Sequence, residues 1–190
     1  MTETTSMPEG GPLPGKSCGS CMLCCKLLAI AELNKPEGVW CKHAKPGQGC
    51  SIYADRPGEC RKFHCGYLSS ELSEEWHPVK SKIVLSANSA GGITAIVDPG
   101  RPDAWREAPF YLQLKAWAGE LLPQQRYVVV RIAKRAIAVL PDHDWDLGIM
   151  EPHEPIVMEV AVAPDGSKMY RARRAGTGHA ARASAKPTPA

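Results

Sequence analysis

Downstream of residue 75 the chain alternates between short runs rich in β-branched residues and clusters of turn formers, a pattern that predicts strands. Residues 82–86 and 93–97 form one such pair, separated by Asn88-Ser89-Ala90-Gly91-Gly92. Residues 127–132 and 136–140 form a second pair, and residues 156–163 and 168–171 flank Asp165-Gly166, a strong hairpin signal. One segment follows the other period. Phe110, Leu114, Trp117 and Leu121 recur at i, i+4, i+7 and i+11, which sets them on one face of a helix. Pro109 suits the first turn of that helix, and Pro123 follows its end. Nearer the N-terminus, the apolar run over residues 26–33 predicts a short helix stopped by Asn34-Lys35-Pro36.

These elements make an α+β chain: a small cysteine-rich, metal-stabilised module over residues 17–75, then a strand-rich segment with one amphipathic helix over residues 76–173. The two parts are expected either to be separate or to pack the module against a sheet. Residues 1–16 and 174–190 are dominated by Gly, Pro, Ser, Thr and Ala. Such segments bury too little surface to offset ordering entropy, so both are predicted to be disordered tails. No internal repeat is present.

Composition narrows the class. Of 190 residues, 44% are hydrophobic and 23% charged, as in folded proteins. Aromatic residues are only 6%, so the core is expected to rest on Val, Ile, Leu, Ala and the five Trp. The formal net charge is +3, but six basic residues and no acid lie from Lys168 to the C-terminus. Without them, 17 basic residues face 20 acidic ones: a mildly acidic body with a basic tail. That distribution argues against a nucleic-acid-binding domain. No stretch approaches the roughly 18–20 apolar residues of a membrane-spanning helix. The polar residues 1–16 lack the apolar core of an export signal, so a reducing cytoplasm is the expected compartment.

That compartment governs the reading of the eight cysteines, which all lie between Cys18 and Cys65. Their spacing is Cys18-x2-Cys21-x2-Cys24-Cys25-x15-Cys41-x8-Cys50-x9-Cys60-x4-Cys65. A cytosolic thiol pool keeps cysteines reduced, which favours metal over disulfides. Two residues between cysteines let the chain turn back so that both thiolates face one ion, and Gly19 permits the backbone angles of such a turn. Zinc ribbons carry two separated pairs of this kind, whereas here the pairs are fused. Three cysteines at this spacing resemble the run of bacterial ferredoxins, without the Cys-Pro that usually follows. The thiols therefore suit two four-cysteine zinc sites, one iron–sulfur cluster with spare thiols, or one site with redox-active neighbours. Cys24 and Cys25 are adjacent, so their side chains are expected to diverge and to play unequal roles at any one ion.

Two motifs carry a family resemblance. Cys18-Gly-Ser-Cys21-Met-Leu-Cys24-Cys25, followed by Cys50-Ser-Ile-Tyr53-Ala-Asp-Arg56-Pro57-Gly-Glu-Cys60-Arg61-Lys-Phe63-His-Cys65, resembles the CxxCxxCC family. Its members are bacterial proteins with a zinc- or iron-chelating domain. The resemblance covers residues 17–66 and implies Cys18, Cys21, Cys24, Cys25, Cys41, Cys50, Cys60 and Cys65 as metal ligands. That family also includes flagellin lysine methylases, but this chain has no Gly-x-Gly-x-x-Gly nucleotide loop. The expected function is thus chelation of zinc or iron, as structural ion or cargo. The alternative is an iron–sulfur redox or protein-modifying, methylase-like enzyme.

Neighbouring residues follow from the same chemistry. Arg56 and Arg61 flank Cys60 and suit a role offsetting thiolate charge. His43 and His64 adjoin Cys41 and Cys65, but eight sulfurs already fill two four-ligand sites, so both are read as loop residues. His143 and His153 stand among carboxylates and are read as parts of solvated acidic loops. No catalytic triad, P-loop or His-Glu-x-x-His motif occurs.

Overall fold

A computed structural model describes residues 11–175 apart from 153, 165 and 167. The chain begins with the cysteine module: α1 (Leu23–Leu27), the short strands β1 (Ala44–Lys45) and β2 (Gly49–Cys50), then α2 (Gly58–Lys62) and α3 (Gly66–Ser69). After α4 (Pro78–Ser81) come β3 (Ile83–Ala87), β4 (Ile93–Val97), α5 (Phe110–Leu121), β5 (Val128–Ile132), β6 (Arg135–Val139) and β7 (Asp144–Ile149). A ribbon of β8 (Ile156–Val162) and β9 (Lys168–Arg174) closes the described chain. The class is α+β, with the strand-rich part and the single long helix where the periodicity puts them.

β3 to β7 form one five-stranded sheet in sequential order. All neighbours are antiparallel except β4 and β5, which are parallel because α5 carries the chain across between them. This places β5 at the centre, and its Val128-Val129-Val130 run is buried throughout, as a strand covered on both faces requires. One face carries α5 through Phe110, Leu114, Trp117 and Leu121, packed on Ile83, Leu85, Val97, Val128 and Val130. The module joins the same core through Leu23, Leu27, Tyr67 and Leu68, so it packs on the sheet rather than standing apart. Lys26 of α1 adds an ion pair of 2.6 Å to Asp98, just after β4. The opposite face of the sheet carries Val129, Ala136, Ala138, Trp145 and Leu147 and is covered by Ile156, Met158, Tyr170 and Ala172 of the ribbon.

Several expectations need correction. The first helix spans Leu23–Leu27, not residues 26–33; the later part is extended and ends in a single 3-10 turn, Ala31–Leu33. Burial of Leu23 and Leu27, one helical turn apart, selects the earlier register. The acidic stretch around His143 is not a solvated loop: Asp144 is buried and begins edge strand β7. Trp40 is 52% exposed, so four of the five tryptophans build the core. Leu13 and Lys16, expected in the N-terminal tail, bond to Leu68, Ser70 and Leu72. Arg174, expected in the C-terminal tail, ends β9 and pairs with Glu154 at 2.6 Å. The hairpin over residues 156–174 is present, while Asp165 of its turn, His153 and residues 176–190 lie outside the described residues.

Candidate metal centre

The cysteine module is built from loops held by specific backbone contacts. The amide of Cys21 donates to the carbonyl of Cys18 at 2.8 Å, which closes the first two-residue turn, and Gly19 sits in it at φ +48°. Leu23 then starts α1, which carries Cys24 and Cys25. The amide of Cys41 donates to the carbonyl of Cys25 at 3.0 Å and ties the third segment to the helix. β1 and β2 pair Ala44 with Cys50. Their hairpin presses against the first turn so closely that a Cβ on Gly49 would meet the carbonyl oxygen of Gly19 at 2.8 Å. The segment bearing Cys60 is locked reciprocally: Glu32 accepts the amides of Gly58 and Glu59, while Glu59 accepts the amide of Ala31.

This folding brings all eight sequence-selected cysteines into one region. Cys18, Cys21, Cys24, Cys25, Cys41, Cys50 and Cys60 line a cavity of about 330 Å³ together with Ile52, Tyr53 and Phe63. Cys18, Cys21 and Cys24 also line a small adjoining cavity of about 30 Å³, where Cys65 joins them. Cys24 and Cys25 differ in what they line: Cys24 borders both cavities and Cys25 the larger alone. Both line the larger cavity, and the Cys24 thiol donates a hydrogen bond to the Cys25 sulfur. All eight are free thiols. Convergence on a cavity is nevertheless short of coordination: among the described residues, no group of three or more His, Cys, Asp or Glu side chains is arranged to hold a metal ion.

The electrostatics are uneven. Burial pushes the Cys21, Cys60 and Cys65 thiols up from their ordinary range. Cys24 is also raised, first because its proton is held in the bond to Cys25 and then by burial. Cys25 is lowered, because it accepts that bond and lies near the Lys35 ammonium. Lys35 is a site residue that spacing arguments miss. It is 8% exposed, and its ammonium donates to the carbonyls of Lys26, Leu28 and Pro36. Burial lowers its pKa, while the neighbouring Cys41, Cys25 and Cys24 favour its charge. A buried cation beside thiols offsets the charge that thiolates carry.

Arg56 lines the larger cavity, and its guanidinium lies 4.1 Å from the Tyr53 ring centre. Arg61 instead donates to the Arg56 carbonyl at 2.7 Å and does not line the cavity. His43 lines the larger cavity and His64 lines neither of the two. His143 is remote, paired with Asp142 at 2.8 Å and edge-on to Trp145. His77, which sequence reasoning passed over, lines the small cavity and stacks edge-on to Tyr67.

No known protein-family model, curated protein or solved structure matches the chain. The resemblance to the CxxCxxCC family therefore rests on the two motifs quoted from the sequence. Among the described residues, no helix is long and apolar enough to cross a membrane.

Proposed function

We propose that this chain is a metal-binding protein of the reducing cytoplasm whose cysteine module chelates zinc or iron. One observation carries the reading: cysteines from the first turn and α1, from the Cys41 loop, from β2, from α2 and from the residue before α3 all line two adjoining cavities. A small hydrophobic role for free cysteine accounts for one or two such side chains, not for eight in one region. Lys35 supports the same reading, since a buried ammonium stands beside these cysteines and offsets the charge that thiolates carry. The side chains are not arranged as a finished ligand set. Chelation thus requires them to turn between staggered rotamers and to give up their protons to solvent. The motif resemblance points the same way.

A second reading is an iron–sulfur redox or protein-modifying enzyme. The size of the larger cavity favours it, since about 330 Å³ exceeds what one tetrahedral ion needs. Anaerobic purification followed by elemental analysis and a visible spectrum separates the two. Zinc thiolate sites are colourless because zinc is d10. Stoichiometric zinc without iron or sulfide removes the enzyme reading, and a brown protein with iron and sulfide favours it. Protein that carries neither metal, and takes up neither on reconstitution, removes both.

A further inference from the structure

We infer that the eight cysteines divide into two quartets, with the boundary between the neighbours Cys24 and Cys25. Cys18, Cys21, Cys24 and Cys65 form an inner site at the seam between module and sheet, and Cys25, Cys41, Cys50 and Cys60 form an outer site open to exchange. This deepens the metal-binding reading and rests on it.

The division follows from which walls each cysteine shares. Cys65 lines the small cavity and not the large one. Cys25, Cys41, Cys50 and Cys60 line the large cavity and not the small one. Cys18, Cys21 and Cys24 stand between the two and touch both. With Cys65 they are the four cysteines that share the small cavity, and the other four share the large cavity alone.

Each set contains four thiols, the number a tetrahedral thiolate site takes. The surroundings differ in kind. The inner cavity has room for about two water-sized occupants. It is walled by Tyr67, Leu68, His77, Pro78 and Val84, from α3, α4 and β3. An ion there bonds the first turn of the module to the segment that docks on the sheet, and so is structural. The outer quartet faces the larger cavity beside Tyr53 and Arg56, where an ion can be exchanged. In the inner cavity four side chains already face one small space, so rotation about side-chain bonds is the freedom left to close them on an ion.

The test loads the full chain anaerobically with zinc alone and removes excess metal. Wild type, Cys41→Ser/Cys60→Ser and Cys18→Ser/Cys65→Ser are compared by elemental analysis, melting temperature and chelator-driven release. Wild type is expected to hold about two equivalents, four thiolates to each. Release should be biphasic. Cys41→Ser/Cys60→Ser should hold about half the wild-type metal, lose the fast phase and melt close to wild type. Cys18→Ser/Cys65→Ser should lose the slow phase and melt lower, or fail to fold, and the outer-site variant then decides alone. Release in one phase, or Cys41→Ser/Cys60→Ser losing all of its zinc or none, overturns the division while the metal reading stands. Wild type that binds no zinc overturns the division, and if it also takes up no iron on a separate reconstitution the metal reading falls with it.

Discussion

Asp144 offers a sharp test of how α5 is held to the sheet. Its carboxylate is 5% exposed at the start of β7 and faces three groups brought by the segment around α5. Lys115 Nζ lies at 2.8 Å, Arg106 Nη1 at 3.1 Å, and the Tyr111 hydroxyl donates to it at 3.1 Å. Removing one partner of a buried ion pair costs about 3–5 kcal/mol. Two features place Asp144→Asn at the low end. Arg106 is 36% exposed and partly served by water. Lys115 also donates to the carbonyls of Leu140 at 2.6 Å and His143 at 2.7 Å, so it is not left bare. The expected loss is about 3 kcal/mol, or about 6–12 °C in melting temperature for a chain of this size. Urea unfolding followed by tryptophan fluorescence measures it, with an unchanged m-value as the control for a pure stability effect. A second readout is local. Burial and the Asp144 carboxylate push the Tyr111 phenol up to about 12, and Asp144→Asn should bring it back down in an ultraviolet titration. A loss below about 1 kcal/mol, the scale of a surface pair, together with an unmoved Tyr111 titration, refutes the reasoning.

The remaining predictions concern acid sensitivity, the module and its docking. The Arg135 guanidinium holds the Asp146 carboxyl below the usual carboxylate range, so its stabilisation is present above the unfolded value near 3.9 and is lost as pH falls through the lower folded value. The stability gap between wild type and Asp146→Asn should thus be constant above about pH 5 and close on acidification, and a gap that widens below pH 4 contradicts it. Gly49→Ala strains a φ of +90° and drives a methyl against the Gly19 carbonyl, so it should loosen the first cysteine turn and lower metal uptake; unchanged hydrogen exchange over residues 17–66 argues against the packing described. Leu27→Ala, at a fully packed contact between module and sheet, should cost about 2–5 kcal/mol, and less than half of that means the module does not share the sheet's core. Chelation should reduce amide protection over residues 17–66 before it touches β4 and β5, and equal protection with and without metal weighs against a structural ion.

The strands and the long helix were legible because their signals are local. Val128, Val129 and Val130 carry the stiffness of β-branched side chains, and Phe110 to Leu121 carry a helical period. β7 was hidden because Asp144 and Asp146 are poor strand formers on their own; their charges are answered by Lys115, Arg106 and Arg135, which only the assembled sheet brings near. The first helix was misplaced for a related reason. Residues 26–33 are the more continuous apolar run, but the turn at Cys18–Cys21 and the burial of Leu23 start the helix earlier. At the site, the cysteines stand plainly in the sequence, but which of them share a wall does not: Cys65 borders the small cavity with Cys18, Cys21 and Cys24, a meeting of segments that only the closed loops create. Lys35 and His77 carry no motif, and their part is visible only once the loops are closed around them.

The shared core of module and sheet has a consequence for synthesis. Leu23, Leu27, Tyr67 and Leu68 are covered by residues as late as Val139, so their contacts span much of the chain. All eight cysteines leave the ribosome before any strand of the sheet exists. Translation proceeds at about 5–20 residues per second, so the 74 positions from Cys65 to Val139 occupy about 4–15 s. Throughout that interval the nascent thiols lack the surface that will enclose them. Newly made chains are therefore the stage at which the thiols stand most open to oxidation, and the order of synthesis, not the finished protein, sets how long that exposure lasts.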